Sequence, residues 1–570
     1  LKPVWLKQPV LKPLGTCPYE LLGCTRVMSG TCAGLDGAVS TAGCLEPEAL
    51  GEYGPVSLLQ LQLSIVSNTS ASATSALDLW AHHELSTQSP VVAFGLGAMI
   101  MCGVLCSAGI YFGNTLLAEG FTSKEGLRSV VPTFAVLSGA MVLDQIDVKL
   151  LSCAMRALEQ DLGLSPSELS QITLAQGIAM AVGSPVWGHL SDRCNRGKVL
   201  AVGCAWWGIT TAMLGKASSL RMLILARFLN GIAFASIAPI AQSWIADMTK
   251  PEIRGTCFGI VFAVGAMGGM VADIVLPGIS TSIILGIEGW RVAAYAIAIA
   301  SLLYIIVVLG VLRDPRVLPS KLEDEQTSFQ GFLTVVRCRT WQLICAQGVF
   351  GAVPYSVFSF VTMYFQYLGF PSDQAGFIVS LQTLGYLIGT LVAGFSGDYA
   401  VRVSRDHGRI FLAQVAGILR VPLVVMIFLV FPHAGAGIAP YGCAIACLGF
   451  LMAVPSGACS RPILTEVVRP ELRGSIIAYQ AVLEKSVGAF GAMAAASLAQ
   501  SMFHYKTTTQ SVADMPDTVR EGNANALGKA ILFNSSVPWL ICAILYGLVY
   551  FSYKHDRDSL ASNKLSGMSA

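Results

Sequence analysis

Long apolar runs and short polar breaks alternate along most of this 570-residue chain. A helix that crosses the hydrocarbon core of a bilayer needs about 20 mostly apolar residues. From Val131 onward, runs of that length fall at 131–153, 168–190, 199–216, 221–245, 255–279, 290–312, 341–368, 374–396, 409–431, 437–459, 474–499 and 530–553. They form two groups of six around the stretch "LRDPRVLPSKLEDEQTS" (312–328), whose Pro, Asp and Glu content is that of a linker. A further run, "VVAFGLGAMIMCGVLCSAGIYFG" (91–113), precedes them. It reads as an extra span, which places residues 1–90 and the sequon Asn68-Thr69-Ser70 outside the cytosol, or as a targeting element removed from the mature protein. The chain opens on Leu1 rather than Met, so a missing targeting segment stays open as a reading.

Composition agrees with the run pattern. Hydrophobic residues make up 54% and charged residues 12% of the chain, with a mean hydropathy of +0.64. A soluble domain carries about 25% charged residues, so lipid is the solvent for most of this surface. The net charge of +2 gives no argument for nucleic acid. If the 312–328 linker is cytosolic, the loops and tail on its side hold nineteen Lys and Arg and the opposite loops seven, which satisfies the positive-inside rule.

Most of the sixteen cysteines lie singly inside apolar runs, as small hydrophobes do. Cys17, Cys24, Cys32 and Cys44 cluster in the N-terminal extension, where they read as unpaired, or as paired if that segment faces an oxidising lumen. Neither a metal nor a cofactor is implied. Nucleophile-elbow, His-Glu-x-x-His and phosphate-loop patterns are absent, so the chain reads neither as an enzyme nor as an ATP-driven pump.

Two phrases occur twice. "KPEIRGTCFG" from Lys250 recurs 219 positions later as "RPELRGSIIA" from Arg469. "GLSPSELSQITLAQ" from Gly163 parallels "GFPSDQAGFIVSLQ" from Gly369, an offset of 206 that also carries Gly188 onto Gly394 and Asp192 onto Asp398. Each phrase holds the same place in its group of six, and an even number of helices per unit makes the repeat parallel about an axis along the membrane normal. The expected organisation is an N-terminal extension (1–90), an extra hydrophobic segment and loop (91–127), a first bundle (128–312), a linker (313–338), a second bundle (339–553) and a tail (554–570).

Between the second and third runs, "GHLSDRCNRGKVL" resembles the loop signature of the major facilitator superfamily, with Gly188, Asp192, Arg193, Arg196 and Lys198. "ARFLNGIAFA" resembles that family's Arg-x-x-x-Gly element, with Arg227 and Gly231. The resemblance implies an all-α polytopic membrane protein: twelve transmembrane helices as two six-helix bundles in parallel pseudo-twofold repeat, beside the extra N-terminal hydrophobic helix. It implies secondary transport of a small organic solute by alternating access, as a monomer in the lipid bilayer, with protons as a candidate coupling ion. The stretches "LDQIDVKLLSC" and "ASIAPIAQSWIAD" are also similar to Spinster-type lysolipid and sphingolipid carriers. Those carriers typically have Asp-Arg in helix one and Gly-Glu-Ala-Ser in helix four, where this chain has Asp144-Gln145 and Ala-Phe-Ala-Ser at 233–236. A Spinster-like lysolipid exporter and a transport-inactive sensor or scaffold are the alternative readings.

Two sets of residues carry the expected chemistry. In the family the counterpart of Asp192 meets the start of helix eleven, so Asp192 is expected near Arg473 and Gly474, just after Glu471, and its repeat mate Asp398 near Arg254 and Gly255, just after Glu252. With Gly188, Arg193 and Arg196 they form a cytosolic gate, closed when the site opens outward. Charges inside the spans are costly and functional by default. They are Asp144 and Asp147 in helix one, Arg227 in helix four, Asp273 in helix five, Arg420 in helix nine, and Glu484 with Lys485 in helix eleven.

At 1.5 Å per residue, Asp144 lies about 20 Å from the cytosolic side, nearly level with Arg227. The expected Asp144–Arg227 pair reads equally as a protonatable coupling site and as a static brace. Glu484 and Lys485 fall near the midplane and are expected to face solute, with Arg420 a candidate partner for Glu484. Asp273 reads as snorkelling to water, and Trp206, Trp207 and Trp290 as interfacial anchors.

Overall fold

In the computed structural model, residues 124–248, 251–312, 336–431, 437–468 and 473–568 are described. The extension, the 91–113 run, the sequon and the four N-terminal cysteines lie outside them. The first six helices are α1 Lys124–Leu162, α2 Pro166–Arg193, α3 Arg196–Lys216, α4 Leu220–Phe234 resuming as Ile237–Met248, α5 Pro251–Ser280 and α6 Gly289–Val311. A two-residue hairpin, β1 Ile283–Ile284 with β2 Ile287–Glu288, joins α5 to α6.

The second six are α7 Arg339–Val357 running on through Val361–Tyr367, α8 Ser372–Val403, α9 Gly408–Val425, α10 Ile438–Val454 resuming as Arg461–Val467, α11 Arg473–Gly488 resuming as Phe490–Ser501, and α12 Asp517–Met568. Two interruptions have covalent causes. Pro354 precedes the 3₁₀ turn Phe358–Phe360 in α7, and Pro455 opens a π turn in α10, each ring removing an amide donor from the ladder.

Ten of these helices are long and apolar enough to cross a bilayer. Helices α1 and α2 have the length, and depart from that apolar standard through polar side chains such as Asp144, Asp147 and Lys149 in α1 and Gln171 and Gln176 in α2. Large apolar residues left uncovered by protein (Ile306 on α6, Phe395 on α8, Phe551 on α12) form the lipid face of this multi-pass integral membrane protein.

Packing repeats the sequence duplication. In the first half α1 packs on α5, α2 on α4 and α3 on α6; in the second, α7 packs on α11, α8 on α10 and α9 on α12. Between halves, α5 meets α8 and α2 meets α11, which a shift of six helices interchanges. A glycine marks the same corner twice. Gly163 ends α1 at φ +65° and Gly369 ends α7 at φ +97°, backbone conformations that a Cβ disfavours. These are the residues related by the 206-residue offset.

The seam between the halves differs at its two ends. The linker face is where α6 ends and α7 begins; the far face carries the α1–α2, α7–α8 and α11–α12 turns. Toward the far face one apolar core runs through both halves, from Leu150 and Leu158 to Val357, Phe360 and Trp539. Toward the linker face each half has its own core, around Trp207 and Trp244 in one and around Trp341 and Tyr546 in the other.

Glycines report the same asymmetry. A Cβ at Gly177 of α2 would come within 2.6 Å of Ala489 Cβ on α11, and one at Gly376 of α8 within 2.2 Å of the Asp273 carbonyl on α5. At Gly188, Gly259 and Gly394, nearer the linker face, a Cβ would meet nothing within 4 Å among the described residues. Among the described residues, the seam is therefore closed at the far face and without close contacts at these positions toward the linker face.

Gly163→Ala is expected to lower stability by about 1–2 kcal/mol through its left-handed φ. Gly310→Ala, in α6 with nothing within 4 Å, is expected not to. Thermal unfolding of the two purified variants checks this.

Candidate functional site

Polar side chains line the seam in a column that follows α1. At mid-depth stands Asp144, buried and accepting from Gln145 Nε2 at 2.9 Å. Lys485 of α11, a cation of the other half, is exposed. Its neighbour Glu484 accepts from Gln480 Nε2 at 2.7 Å and packs where Gly348 of α7 has no side chain.

Five residues further along α1, Lys149 pairs with Asp273 of α5 at 2.7 Å. The same carboxylate oxygen accepts from Thr383 Oγ1 of α8 at 3.0 Å, a bond across the seam. At the end of α1, the buried pair Arg156–Glu159 (3.0 Å) meets Tyr367 of α7 and the strap between α11 and α12. Ser167 Oγ donates to Gln500 Oε1 and Thr281 Oγ1 donates to Ser372 Oγ at 3.1 Å, completing the far-face closure. The 219-residue offset carries Thr281 onto Gln500, and the 206-residue offset carries Ser167 onto Asp373, next to Ser372. The two contacts are pseudo-symmetry mates.

The intramembrane charges sort differently from the sequence expectation. Arg227 pairs with Asp147, not Asp144, at 2.9 Å and with both side chains fully buried. Trp207 Nε1 and Thr211 Oγ1 donate to the other Asp147 oxygen at 2.6 and 2.5 Å, and Asn230 joins the network through Arg227 and Thr211. Depth along α1 could not separate two carboxylates one turn apart; the roughly 60° between them around the helix does. Asp147 points into its own half and Asp144 toward the seam. Trp207 is accordingly no interfacial anchor: its ring is buried and its N–H finds the acceptor that a buried indole needs. Trp290 is likewise buried, donating to Asp161 at 3.1 Å.

Asp273 does not snorkel either, because Lys149 compensates it in place. Arg420 and Glu484 do not pair: the guanidinium donates twice to the Leu451 carbonyl, at 3.2 and 2.9 Å, and lies over the Trp539 ring. Lys149, Arg156, Glu159, Tyr367 and Tyr505 were not read as site residues, since nothing in their local spacing marks them.

On the linker face, Arg193 and Asp398 are exposed and Arg196 is buried. Asp398 accepts from Arg409 of its own half at 3.4 Å. Glu471 lies outside the described residues, as do the side chains of Asp192, Glu252, Arg254 and Arg473. In the adjoining α8–α9 loop, the hydrogen bond from Arg557 holds the Asp406 carboxyl below its usual range and ties that loop to α12.

Two six-helix bundles around a seam lined by charges have the architecture of a membrane carrier. Residues 137–492 match the Major Facilitator Superfamily, more than half of the chain, and the protein belongs to that family. It is 26% identical over 160 residues to a putative niacin/nicotinamide transporter of Bacillus subtilis (strain 168), covering 28% of this chain and 39% of that one. It is also 26% identical over 264 residues to the inner membrane transport protein YnfM of Escherichia coli (strain K12), covering 45% and 60%. The chain thus matches less than two thirds of the length of these curated relatives.

By shape, it superposes on an inward-facing, unoccupied bacterial homolog of the human lysosomal transporter Spinster with a TM-score of 0.62 at 18% identity, over 74% of this chain and 97% of that one. A D-xylose-proton symporter follows with a TM-score of 0.54 at 16% identity, over 71% and 97%. At these identities the likeness is one of fold.

Removing one partner of a fully buried pair strands the other charge. Asp147→Asn is therefore expected to cost about 3–5 kcal/mol of stability by leaving Arg227 uncompensated. Asp144→Asn, which leaves Lys485 exposed, is expected to cost about 1 kcal/mol or less. Equal losses in thermal unfolding would contradict this division.

Proposed function

We propose that the protein is a secondary active carrier that moves a small organic solute across its membrane by alternating access, driven by protons. The solute is held at mid-depth between Asp144 and Gln145 on α1 and Gln480, Glu484 and Lys485 on α11. One observation supports this reading: Asp144 on α1, buried, and Lys485 on α11, exposed, carry opposite charges at mid-span on opposite halves, away from the apolar core that closes the far face. Charges placed there at the expense of desolvation are functional candidates, since a static scaffold has no need of them.

The chemistry follows from the placement. While Asp144 is ionised, its attraction to Lys485 favours bringing α1 and α11 together. A proton on Asp144 removes that attraction, leaves Lys485 for an anionic or hydrogen-bonding group of the solute, and biases the halves toward a different tilt. Asp147 takes no part, because its partners all move with its own half. The positive-inside rule places the linker face in the cytosol, so the described conformer offers its site to that side. Membership of the Major Facilitator Superfamily supports the reading, as do relatives described as transporters and a fold neighbour described as a proton symporter.

A lysolipid substrate finds less support. Phe234 stands where Spinster-type carriers have a glutamate, and it is buried against Trp207 with ring centroids 5.0 Å apart.

Reconstituting the full chain in liposomes and offering sugars, amino acids, carboxylates, nucleosides and lysolipids under an imposed proton gradient tests the reading. The native protein is expected to accumulate at least one class. Asp144→Asn should lose accumulation while retaining solute exchange; undiminished gradient-driven accumulation by that variant would remove Asp144 from the coupling role.

A further inference from the structure

Among the described residues, the densest polar junction between the two halves lies at the far mouth. Glu159 and Arg156, one turn apart on α1, have side chains only 0% and 1% exposed. Apart from Arg156, every hydrogen-bond partner of the Glu159 carboxylate among the described residues belongs to the second half. They are the Tyr367 hydroxyl at 2.7 Å, the Tyr505 hydroxyl at 2.8 Å and the Thr508 amide at 3.2 Å. Arg156 in turn donates to the Thr508 carbonyl at 3.0 Å and to the Gln510 carbonyl, with its guanidinium over the Tyr367 ring.

Tyr505, Thr508 and Gln510 lie on the strap that joins α11 to α12. Asn523 of α12 fastens that strap by accepting from the Lys506 amide and donating to its carbonyl, at 2.9 and 2.8 Å.

We infer that Glu159, seated by Arg156, is the lock of the far mouth, and that the strap it grips is the lid. The inference rests on the alternating-access reading and names the residues that hold one of its two states. A buried charge is tolerated only while partnered. Tilting the halves apart at this face withdraws three donors from Glu159 and two acceptors from Arg156 in one movement, and water must replace them all.

The Asp147–Arg227 pair is the internal contrast: equally buried, but partnered wholly within the first half, it passes through the same movement unchanged. The lock is also one-sided. The 206-residue offset carries Glu159 onto Phe365 and Arg156 onto Thr362, so the second half has an aromatic cluster where the first has the ion pair. Glu159 is thus a positioning residue that sets how readily the far side opens.

Cys153 provides a native reporter. Its thiol is 1% exposed, less than one helical turn from Arg156, beside Asp273. The full chain in liposomes is treated with a membrane-impermeant thiol reagent from the strap side, and labelling is followed residue by residue by peptide mass spectrometry. Glu159→Gln is expected to raise the labelling rate of Cys153 about tenfold, the scale of one lost charge-assisted hydrogen bond. Tyr505→Phe, which removes a single donor and leaves the ion pair intact, should raise it less and in the same direction, and decides the case if Glu159→Gln does not fold. Cys204 and Cys459, buried inside single halves, should stay unlabelled throughout.

Unchanged Cys153 labelling in the folded variants overturns the assignment. So does a rise at Cys153 that Cys204 and Cys459 match, since that marks loss of fold rather than opening. The readout needs neither solute nor proton gradient, so a failure of Asp144 to couple leaves it unaffected.

Discussion

A charge taken into a bilayer must find a counter-charge or a ring of dipoles, because lipid offers none. In this protein the half of the molecule that supplies the compensation decides what each charge can do. Arg227 and Asp147 satisfy each other inside the first half and brace α1 against α3 and α4. Lys149 and Asp273 are paired within that half but share one oxygen with Thr383 of the other. Glu159 depends mostly on the second half, whereas the Asp144 carboxylate accepts from its own neighbour Gln145. Down α1, the column passes from a carboxylate held by one neighbouring amide at mid-depth to a fully clasped one at the far face.

Under the proposed alternating access, pseudo-twofold symmetry makes that column the line about which the halves tilt. Helices α5 with α8 and α2 with α11 meet through interchangeable contacts, and Thr281–Ser372 and Ser167–Gln500 close the far face on either side of the axis. Small residues let backbones touch there: Gly177 and Gly376 have no room for a Cβ, whereas Gly188 and Gly394 meet nothing within 4 Å among the described residues. Bundles packed this firmly within themselves respond to a local change by tilting as units. The Arg156–Glu159 pair breaks the symmetry, so the two ends of the seam need not open with equal ease.

The fold was legible because its determinants are periodic or repeated. Apolar runs marked all twelve helices, and the 206-residue offset paired Gly163 with Gly369 before either was known to turn its helix with positive φ. Lys and Arg spacing and the duplicated Pro-Glu phrase pointed to the linker-face residues. The far-face contacts were not legible for a physical reason. Lys149 meets Asp273 over 124 residues, Glu159 meets Tyr367 over 208, and Glu159 meets Tyr505 over 346, so no local spacing records them. Depth along a helix brought Arg227 level with the carboxylates of α1 but could not choose between Asp144 and Asp147. The rotation between them made that choice, and Trp207, taken for an anchor, supplied the donor that confirms which carboxylate turns inward. Applying the 219-residue offset to Thr281 would have pointed to Gln500.

The central claim is that the far face must part for the protein to work. Placing cysteines at Thr281 and Ser372, whose short side chains meet at 3.1 Å across the seam, allows that face to be fixed shut by oxidation and freed by a reductant. Solute transport by the reconstituted double variant is expected to stop on oxidation and return on reduction. Full transport with the cross-link quantitatively formed would contradict the account.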